Sequence, residues 1–597
     1  GTATGGGTAT GGGTATGGGT ATGGGTATGG GGGTCDGCFF NGSCINRMNS
    51  NNNTLCGQGG ITCVTCGTNQ TCQNYVCTGS TTGGGGGTTG GGGGSTGGGG
   101  GSTPGACTVT AGTGDFKLIS GVLLIDGQTP APGQVLIDAA GLITCVAPDC
   151  SAETGAATAT TIACPNQIVS PGLINAHDHL TYQNPPYVPA AAVVNEKFEH
   201  RHNWRRGQQG HTGVQTIALA VPEPTNGDRF AEVRQVMSGT TSVVTHGTWS
   251  TQLNGMLRNL DTTPTQGQGG TITGSRGVVS ETFPIGDSSG TLIASPTSCP
   301  TGVDDAAAVP ADSAYFGHVA EGINAAARNE FLCLAAKQNS VVGPKSAFVH
   351  GIALTPEDIS LMATAGTSLV WSPRSNVSLY GDTALIPVYR RANVNVALGT
   401  DWLISGSMNL LRELKCADEL NAGYFGNALS DEDLWKTVTA GGADALQAST
   451  KLGRLRVGLI ADIAIFAPKA GKSPYRAVIE AEPQDVLMTM RGGTVLYGEA
   501  GLVSAFDAMN ECEAIDVCGA ARKVCAVPDF KRFTAVTNGM SLAQLQMVAQ
   551  YPLFFCAGTP VRNEPTCVPE RAPMWGSGKT NSVNMSTTYT AASTDMD

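Results

Sequence analysis

Two β-rich patches bracket a long alternation of short apolar runs and helical stretches, and this limits the fold more than any single motif does. Residues 118–126 (LISGVLLID) and 134–146 (QVLIDAAGLITCV) are rich in Val, Ile and Leu and are broken at Gly127 and Gly141, as in hairpins. Residues 452–467 and 486–498 share that texture, so the two flanks are predicted to meet in one small β-sandwich. Between them, segments such as 241–244, 347–349, 368–371 and 395–398 alternate with helical stretches at 320–338 and 355–365. Such alternation predicts a parallel sheet. The length of 170–450 suits the roughly 250 residues of a closed eight-stranded barrel, while a doubly wound open sheet gives a similar pattern. Periodicity leaves both open.

The N-terminal side obeys different rules. Residues 1–30 are five copies of GTATGG, without a large apolar side chain to offset the entropy of ordering the backbone, so 1–34 reads as a flexible tether. A second Gly/Ser/Thr run makes 78–106 a linker. The intervening 35–77 holds cysteines 35, 38, 44, 56, 63, 66, 72 and 77 among few aliphatics, which predicts a disulfide-rich module. The Cys35/Cys38 and Cys63/Cys66 spacings also suit a zinc ribbon, which would leave four cysteines idle. Downstream, 107–169 and 451–505 are the two halves of the sandwich, 170–450 the barrel, and 506–597 a cysteine-containing extension. The extension carries Cys512, Cys518, Cys525, Cys556 and Cys567, an odd number, so one is left for a partner elsewhere, for example Cys107, Cys145, Cys150 or Cys164 of the sandwich, while spacing alone does not give the connectivity.

A formal charge of −12 argues against nucleic acid or an anionic membrane as partner, because both need a basic face. No run approaches the roughly 18 apolar residues of a spanning helix. A small-molecule substrate is expected, with self-association left open. Twenty cysteines point to an oxidising, extracytoplasmic home, and any export signal is expected to precede Gly1.

His177 and His179 follow the apolar run 167–175 (QIVSPGLIN). At i and i+2 on an extended strand, two imidazoles point the same way and form half of a first-row metal site. With eight histidines, chance gives roughly 0.1 such pairs, so the pair alone is suggestive; two surface histidines are the plain alternative. His318 follows the apolar pair Tyr315–Phe316 and precedes Glu321, a carboxylate placed to move a proton without joining the metal. His350 ends the run 347–349 and Asp401 ends 395–400 (NVALGT). Each sits where a strand would run out, although an aspartate after Gly-Thr also suits a turn or a helix cap.

The motifs PGLINAHDH (171–179), HVAE (318–321), VHGIALT (349–355), SPRSN (372–376) and ALGTD (397–401) resemble those of the amidohydrolase superfamily, in the same order and spacing. They are most similar to the one-metal branch that includes cytosine, guanine and S-adenosylhomocysteine deaminases, triazine hydrolases and imidazolonepropionase. The resemblance covers about 118–500 and implies an α/β fold, a (β/α)8 TIM barrel with the flanking sandwich. It implies one divalent metal, zinc first and iron second, on His177, His179, His318 and Asp401, with Glu321, His350 and Asp401 as catalytic residues. The implied reaction is attack of a metal-activated water on an sp2 carbon, with release of ammonia from an amino-heterocycle. Hydrolysis of a cyclic or linear amide uses the same residues, and a binding protein that has lost its chemistry is the alternative of another class. The cysteine layout of 35–77 resembles repeats on exported myxobacterial proteins and implies attachment to a cell surface or matrix.

Residues 195–211 (NEKFEHRHNWRRGQQGH) lie where a first barrel loop would cover the site. Arg201, Trp204 and Arg205 there, with His246, Trp371 and Asn376, are candidate contacts for an anionic or aromatic substrate; a solvated charged loop is the competing reading.

Overall fold

A computed structural model describes residues 107–180, 196–211, 227–245, 256–261, 272, 277–525, 542, 552–556 and 564–571, together with short backbone strands between 38 and 78. The chain divides into two units, 1–100 and 101–597. In the first, Cys38–Phe40 pairs with Ser43–Ile45, and Thr71–Gln73 with Val76–Thr78. The tethers, and the cysteine side chains that distinguish disulfides from zinc, lie outside the described residues, as does His246.

The second unit begins with β1 (Thr108–Thr110), β2 (Lys117–Leu123), β3 (Ala131–Ile137), β4 (Ile143–Ala147) and the long β5 (Thr160–Pro171). Three strands follow in a parallel sheet: β6 (Leu173–Asn175), β7 (Thr240–Val243) and β8 (Arg258–Asn259). A second, five-stranded parallel sheet comprises β9 (Val278–Glu281), β10 (Ala314–Val319), β11 (Ser346–His350), β12 (Ser368–Trp371) and β13 (Val396–Leu398). The sheets are joined at both edges. Val278 N donates to Leu260 O at 2.8 Å on one side, and Ala176 N donates to Leu398 O at 3.0 Å on the other.

Alternation in these strands separates two apolar clusters. Ile174, Val278, Ala314, Phe316, Ala347, Val349, Val370 and Ala397 belong to one, while Leu173, Tyr315, Phe348, Leu369 and Leu398 pack in the other beside the helices. The helices carry their own punctuation. The one at Pro356–Ala365 starts with Thr355 and Asp358 in a reciprocal cap and Pro356 in its first turn, and it stops at Gly366 with φ 75°.

The chain then returns to the first sheet through β14 (Ile463–Phe466), β15 (Val486–Arg491) and β16 (Thr494–Glu499). The expected sandwich is, in its hydrogen bonding, one ten-stranded sheet, because β5 pairs with β2 on one side and β14 on the other. A register shift between Ala163 and Ile168 lets this single strand serve both flanks. Ile119, Val135, Ile162, Ile463, Met488 and Val495 share one apolar cluster across the join. The sheet also runs past residue 505: the hairpin β17 (Glu513–Val517) and β18 (Ala520–Val524) adds to β16.

Among the described residues, six disulfides join Cys107–Cys164, Cys145–Cys150, Cys299–Cys333, Cys416–Cys567, Cys512–Cys525 and Cys518–Cys556, and no described cysteine is free. The odd cysteine of the extension is Cys567. Its partner is Cys416, on the helix Leu410–Gly423, rather than a cysteine of the first sheet, whose four cysteines already pair among themselves. Cross-linking across 151 residues restricts the unfolded chain by about 5 kcal/mol in the chain-entropy picture.

Candidate active site

The proposed ligands and acid–base residues converge at the C-terminal ends of β6, β10, β11 and β13. Beyond β6, His177 and His179 flank Asp178, which turns the other way and accepts hydrogen bonds from Asn175 Nδ2 (3.0 Å), Gln235 Nε2 (2.9 Å) and Thr400 Oγ1 (2.7 Å). These bonds anchor the strand end between the histidines. Asn175 also accepts from Thr400 N at 3.1 Å, tying the end of β6 to that of β13. Gly399 permits this closeness, since a Cβ there would sit 2.6 Å from His177 Cβ and 2.8 Å from His177 N.

Asp401 adopts φ 62° and directs Oδ1 to within 3.2 Å of His177 Nε2 and 3.4 Å of His179 Nε2. Its other oxygen accepts from Ser375 Oγ at 2.6 Å, and Ser375 in turn meets Ser405 Oγ at 2.7 Å. His318 continues the inward row of Ala314 and Phe316. Its Nδ1 is 3.3 Å from Glu281 O, an oxygen that only accepts, so the proton belongs on Nδ1 and the lone pair on Nε2. The rings of His177 and His318 lie 4.8 Å apart, as do those of His177 and His179. Candidate ligand atoms of His177, His179 and His318, and of His177, His350 and Asp401, lie within 4.8 Å of one another.

His350 is out of phase with Ala347 and Val349. The left-handed φ of 77° at this residue breaks the alternation at the strand end. Its Nδ1 lies 3.0 Å from Asn376 Oδ1, and Asn376 Nδ2 donates to Thr383 Oγ1 at 3.3 Å. That orientation makes the amide oxygen the acceptor, so His350 Nδ1 is the donor and Nε2 faces Glu321 Oε1 at 3.8 Å. Glu321 is 4 % exposed and accepts from the Tyr380 hydroxyl at 2.8 Å, which itself accepts from Trp204 Nε1 at 2.8 Å. Burial and the neighbouring Glu321 carboxylate push the Tyr380 hydroxyl well above its ordinary range, so it stays a donor. Trp204 and Trp402 have ring centroids 5.4 Å apart, and Trp402 lies 6.2 Å from His179, giving the site an aromatic flank.

The remaining candidates divide. Arg201 is 1 % exposed and bound to Asp287 (2.6 Å) and Glu330 (3.0 Å), which takes it out of the substrate-binding set. Burial opposes its charge, but Glu330, Asp287 and Glu321 outweigh that and raise its pKa. Burial and the adjacent Arg201 push His200 down to about 3, so it is neutral. Trp371 is likewise corrected: it is fully buried, with Nε1 donating to Thr383 Oγ1 at 2.7 Å. Asn376 orients His350 instead of facing a substrate. Arg205 lies 4.2 Å over the Phe283 ring and donates to His202 Nδ1 at 2.8 Å. Tyr380, Ser375 and Asp178 escaped the sequence reading. Asp178, between the two histidines, carried the strongest available signal; Ser375 lay inside a quoted motif.

Residues 311–496 match the amidohydrolase family. A 5-methylthioadenosine/S-adenosylhomocysteine deaminase of Clostridium tetani is 31% identical over 141 residues, 23% of this chain and 33% of the relative. A guanine deaminase of Mus musculus is 25% identical over 142 residues, 23% of this chain and 31% of the relative. The chain thus spans about a third of the length of these curated relatives. Among solved structures, a zinc-bound adenosine deaminase from Xanthomonas campestris is similar over 64% of this chain and 92% of that one, at 19% identity and a TM-score of 0.46. The matched segment contains His318, Glu321, His350 and Asp401, and over 311–496 this chain is similar to the amidohydrolase family.

Proposed function

We propose that this protein hydrolyses a non-peptide C–N bond, releasing ammonia from an amino-substituted heterocycle. The observation that carries the reading is the convergence of three imidazoles and Asp401 beside a Glu321–His350 pair. We read the eight parallel strands as one closed (β/α)8 barrel; its support is the hydrogen bonding at both sheet edges and the parallel bridge between Asp178 and Asp401. The deaminase relatives share the reaction class, and catalytic groups at C-terminal strand ends suit a barrel.

The donor set fits one divalent ion. Three neutral imidazoles and a carboxylate are ligands zinc accepts, and their net single negative charge is reversed by a doubly charged ion. Held by His177, His179, His318 and Asp401, zinc would supply Lewis acidity and lower the pKa of water towards about 7. The protein's residues supply the proton path. His350, its Nδ1 committed to Asn376, presents Nε2 to take a proton from the attacking water. Ser375 holds Asp401 in its orientation. Glu321, fixed by Tyr380, delivers a proton to the ring nitrogen as C–O bond formation places negative charge there. The proton that His350 took from water passes to the exocyclic amine, the C–N bond breaks to release ammonia as the C=O forms, and the proton of the new hydroxyl returns to Glu321. Trp204 and Trp402 offer flat apolar area to a heteroaromatic ring.

The six disulfides support an oxidising, extracytoplasmic location, and we assign 35–77 to surface or matrix attachment. The function is tested by zinc analysis and an ammonia-release screen of aminopurines, aminopyrimidines and aminotriazines. One equivalent of zinc with ammonia release that Glu321→Gln abolishes is expected. A product that keeps its amine and gains a carboxylate would identify an amide hydrolase instead; absence of both products and of metal after reconstitution overturns the proposal.

A further inference from the structure

The proton path does not use one buried arginine that touches its supports. Arg571 lies outside the family-matched segment 311–496 and is 3 % exposed. Its Nε donates to Tyr380 O at 2.6 Å, while Nη2 reaches Phe198 O at 3.5 Å and Glu199 Oε1 at 3.3 Å. The backbone amides of Glu570 and Arg571 both donate to Gly381 O, at 2.9 and 3.0 Å. Gly381 closes the helix Pro373–Tyr380 with φ 69°, and a Cβ there would lie 3.3 Å from Arg571 Cγ. The arginine's fork therefore joins the end of the helix that carries Tyr380 to the irregular segment that leads into the helix Arg201–Arg206, which carries Trp204. A buried guanidinium is destabilising unless its donors are used, and Nε and Nη2 are used on the two segments that set the Trp204–Tyr380–Glu321 hydrogen-bond chain.

The segment is also tied down independently. Cys567, four residues before Arg571, is bonded to Cys416, and Glu564 pairs with Arg374 and Arg412. Lys197 reinforces the same junction, bonding Ser378 O at 2.8 Å and Glu570 at 3.1 Å. None of these contacts involves a proposed metal ligand.

We propose that Arg571 is a positioning residue for Glu321, supplied to the active site by the C-terminal segment and anchored there by the Cys416–Cys567 disulfide; this rests on the reading of Glu321 as proton carrier. The arginine acts through the Tyr380 backbone, which fixes where the Tyr380 hydroxyl meets Glu321. Losing the fork leaves the metal ligands in place and moves the acid.

The test combines hydrogen exchange of the full chain with kinetics on whichever heterocycle releases ammonia. Arg571→Ala is expected to retain wild-type zinc, raise exchange in peptides covering 196–206 and 373–381, and lower kcat about 10- to 100-fold with KM little changed. Millimolar guanidinium should restore part of the rate in Arg571→Ala, whereas Arg571→Lys, which keeps charge but not the fork, should be impaired and unrescued. On a Tyr380→Phe background Arg571→Ala should add little, since both act on one contact. The Cys416→Ser/Cys567→Ser pair keeps Arg571 but frees its anchor and should raise exchange in the same two peptides. Wild-type exchange in both peptides for Arg571→Ala overturns the proposal, as does raised exchange with unchanged kcat. The exchange measurement needs no substrate, so its failure is distinct from failure of the hydrolase reading.

Discussion

Replacing Gly399 with alanine adds one methyl group between the strand ends that carry His177 and Asp401. Gly399 is not among the residues with positive φ, so alanine brings no backbone strain and the effect is steric. The new Cβ would lie 2.6 Å from His177 Cβ, 2.8 Å from its N and 2.9 Å from its O. Reaching an ordinary contact near 3.4 Å requires the strands to part by about 0.8 Å. The flanking bonds Ala176 N to Leu398 O and Asp401 N to His177 O, both 3.0 Å, would then stretch beyond hydrogen-bonding range. Overpacking costs about 1–3 kcal/mol and each of the two lost backbone bonds about 1 kcal/mol net, so destabilisation of roughly 3–5 kcal/mol is expected. Two proposed ligands sit on opposite sides of the gap, and zinc affinity should fall at least about 10-fold. Thermal melts and zinc competition with a chromophoric chelator measure the two effects. A Gly399→Ala protein with wild-type Tm and zinc affinity would refute both the tightness of this junction and its role in setting the ligands.

Three further outcomes follow from the same geometry. Ser375→Ala removes the 2.6 Å donor to Asp401 and should weaken zinc binding about 10- to 100-fold in a chelator titration; unchanged affinity would dissociate Asp401 from the metal. Asn376→Leu removes the acceptor that selects the His350 tautomer, so kcat should fall about 100-fold or more with zinc retained, and a wild-type rate would exclude His350 as base. Burial pushes the Glu413 carboxyl from 4.5 up to about 7, against the opposing influence of Arg374 and Ser407. Because the folded value lies above the unfolded one, the stability contribution is complete below about pH 4.5 and is lost as pH rises through 7. Relative to wild type, Glu413→Gln should therefore gain up to about 3 kcal/mol between pH 4.5 and 8 in denaturant titrations, and a constant difference would contradict the assignment.

The strand ends were legible because alternation and motif spacing are local. His318 is a case in point: it continues the row of Ala314 and Phe316, and its position can be counted from sequence. His350 is the opposite case, since counting from Ala347 and Val349 places it on the other face and only its φ of 77° departs from that pattern. Arg201 misled for a different reason. An arginine in a polar loop looks exposed until Asp287 and Glu330, 86 and 129 residues later, arrive to enclose it. Tyr380 carried no motif at all, because its role depends on Trp204 and Glu321 approaching from separate segments. The Cys416–Cys567 pairing shows the same limit, as spacing says nothing about which distant cysteine a segment will meet.

The ten-stranded sheet carries a consequence for the order of folding. Its strand Thr160–Pro171 pairs Ile168 with Phe466, so one edge of that strand waits for residues made about 300 positions later. A chain emerging from its N-terminal end has to hold this edge, with Ile168 and Val169 on it, unpaired while the intervening region is synthesised. Closing so long a loop is slow, and an unpaired edge strand is a site for pairing with other chains. Folding of this protein is therefore expected to be gated by the arrival of residues 463–466, and aggregation to compete until they do.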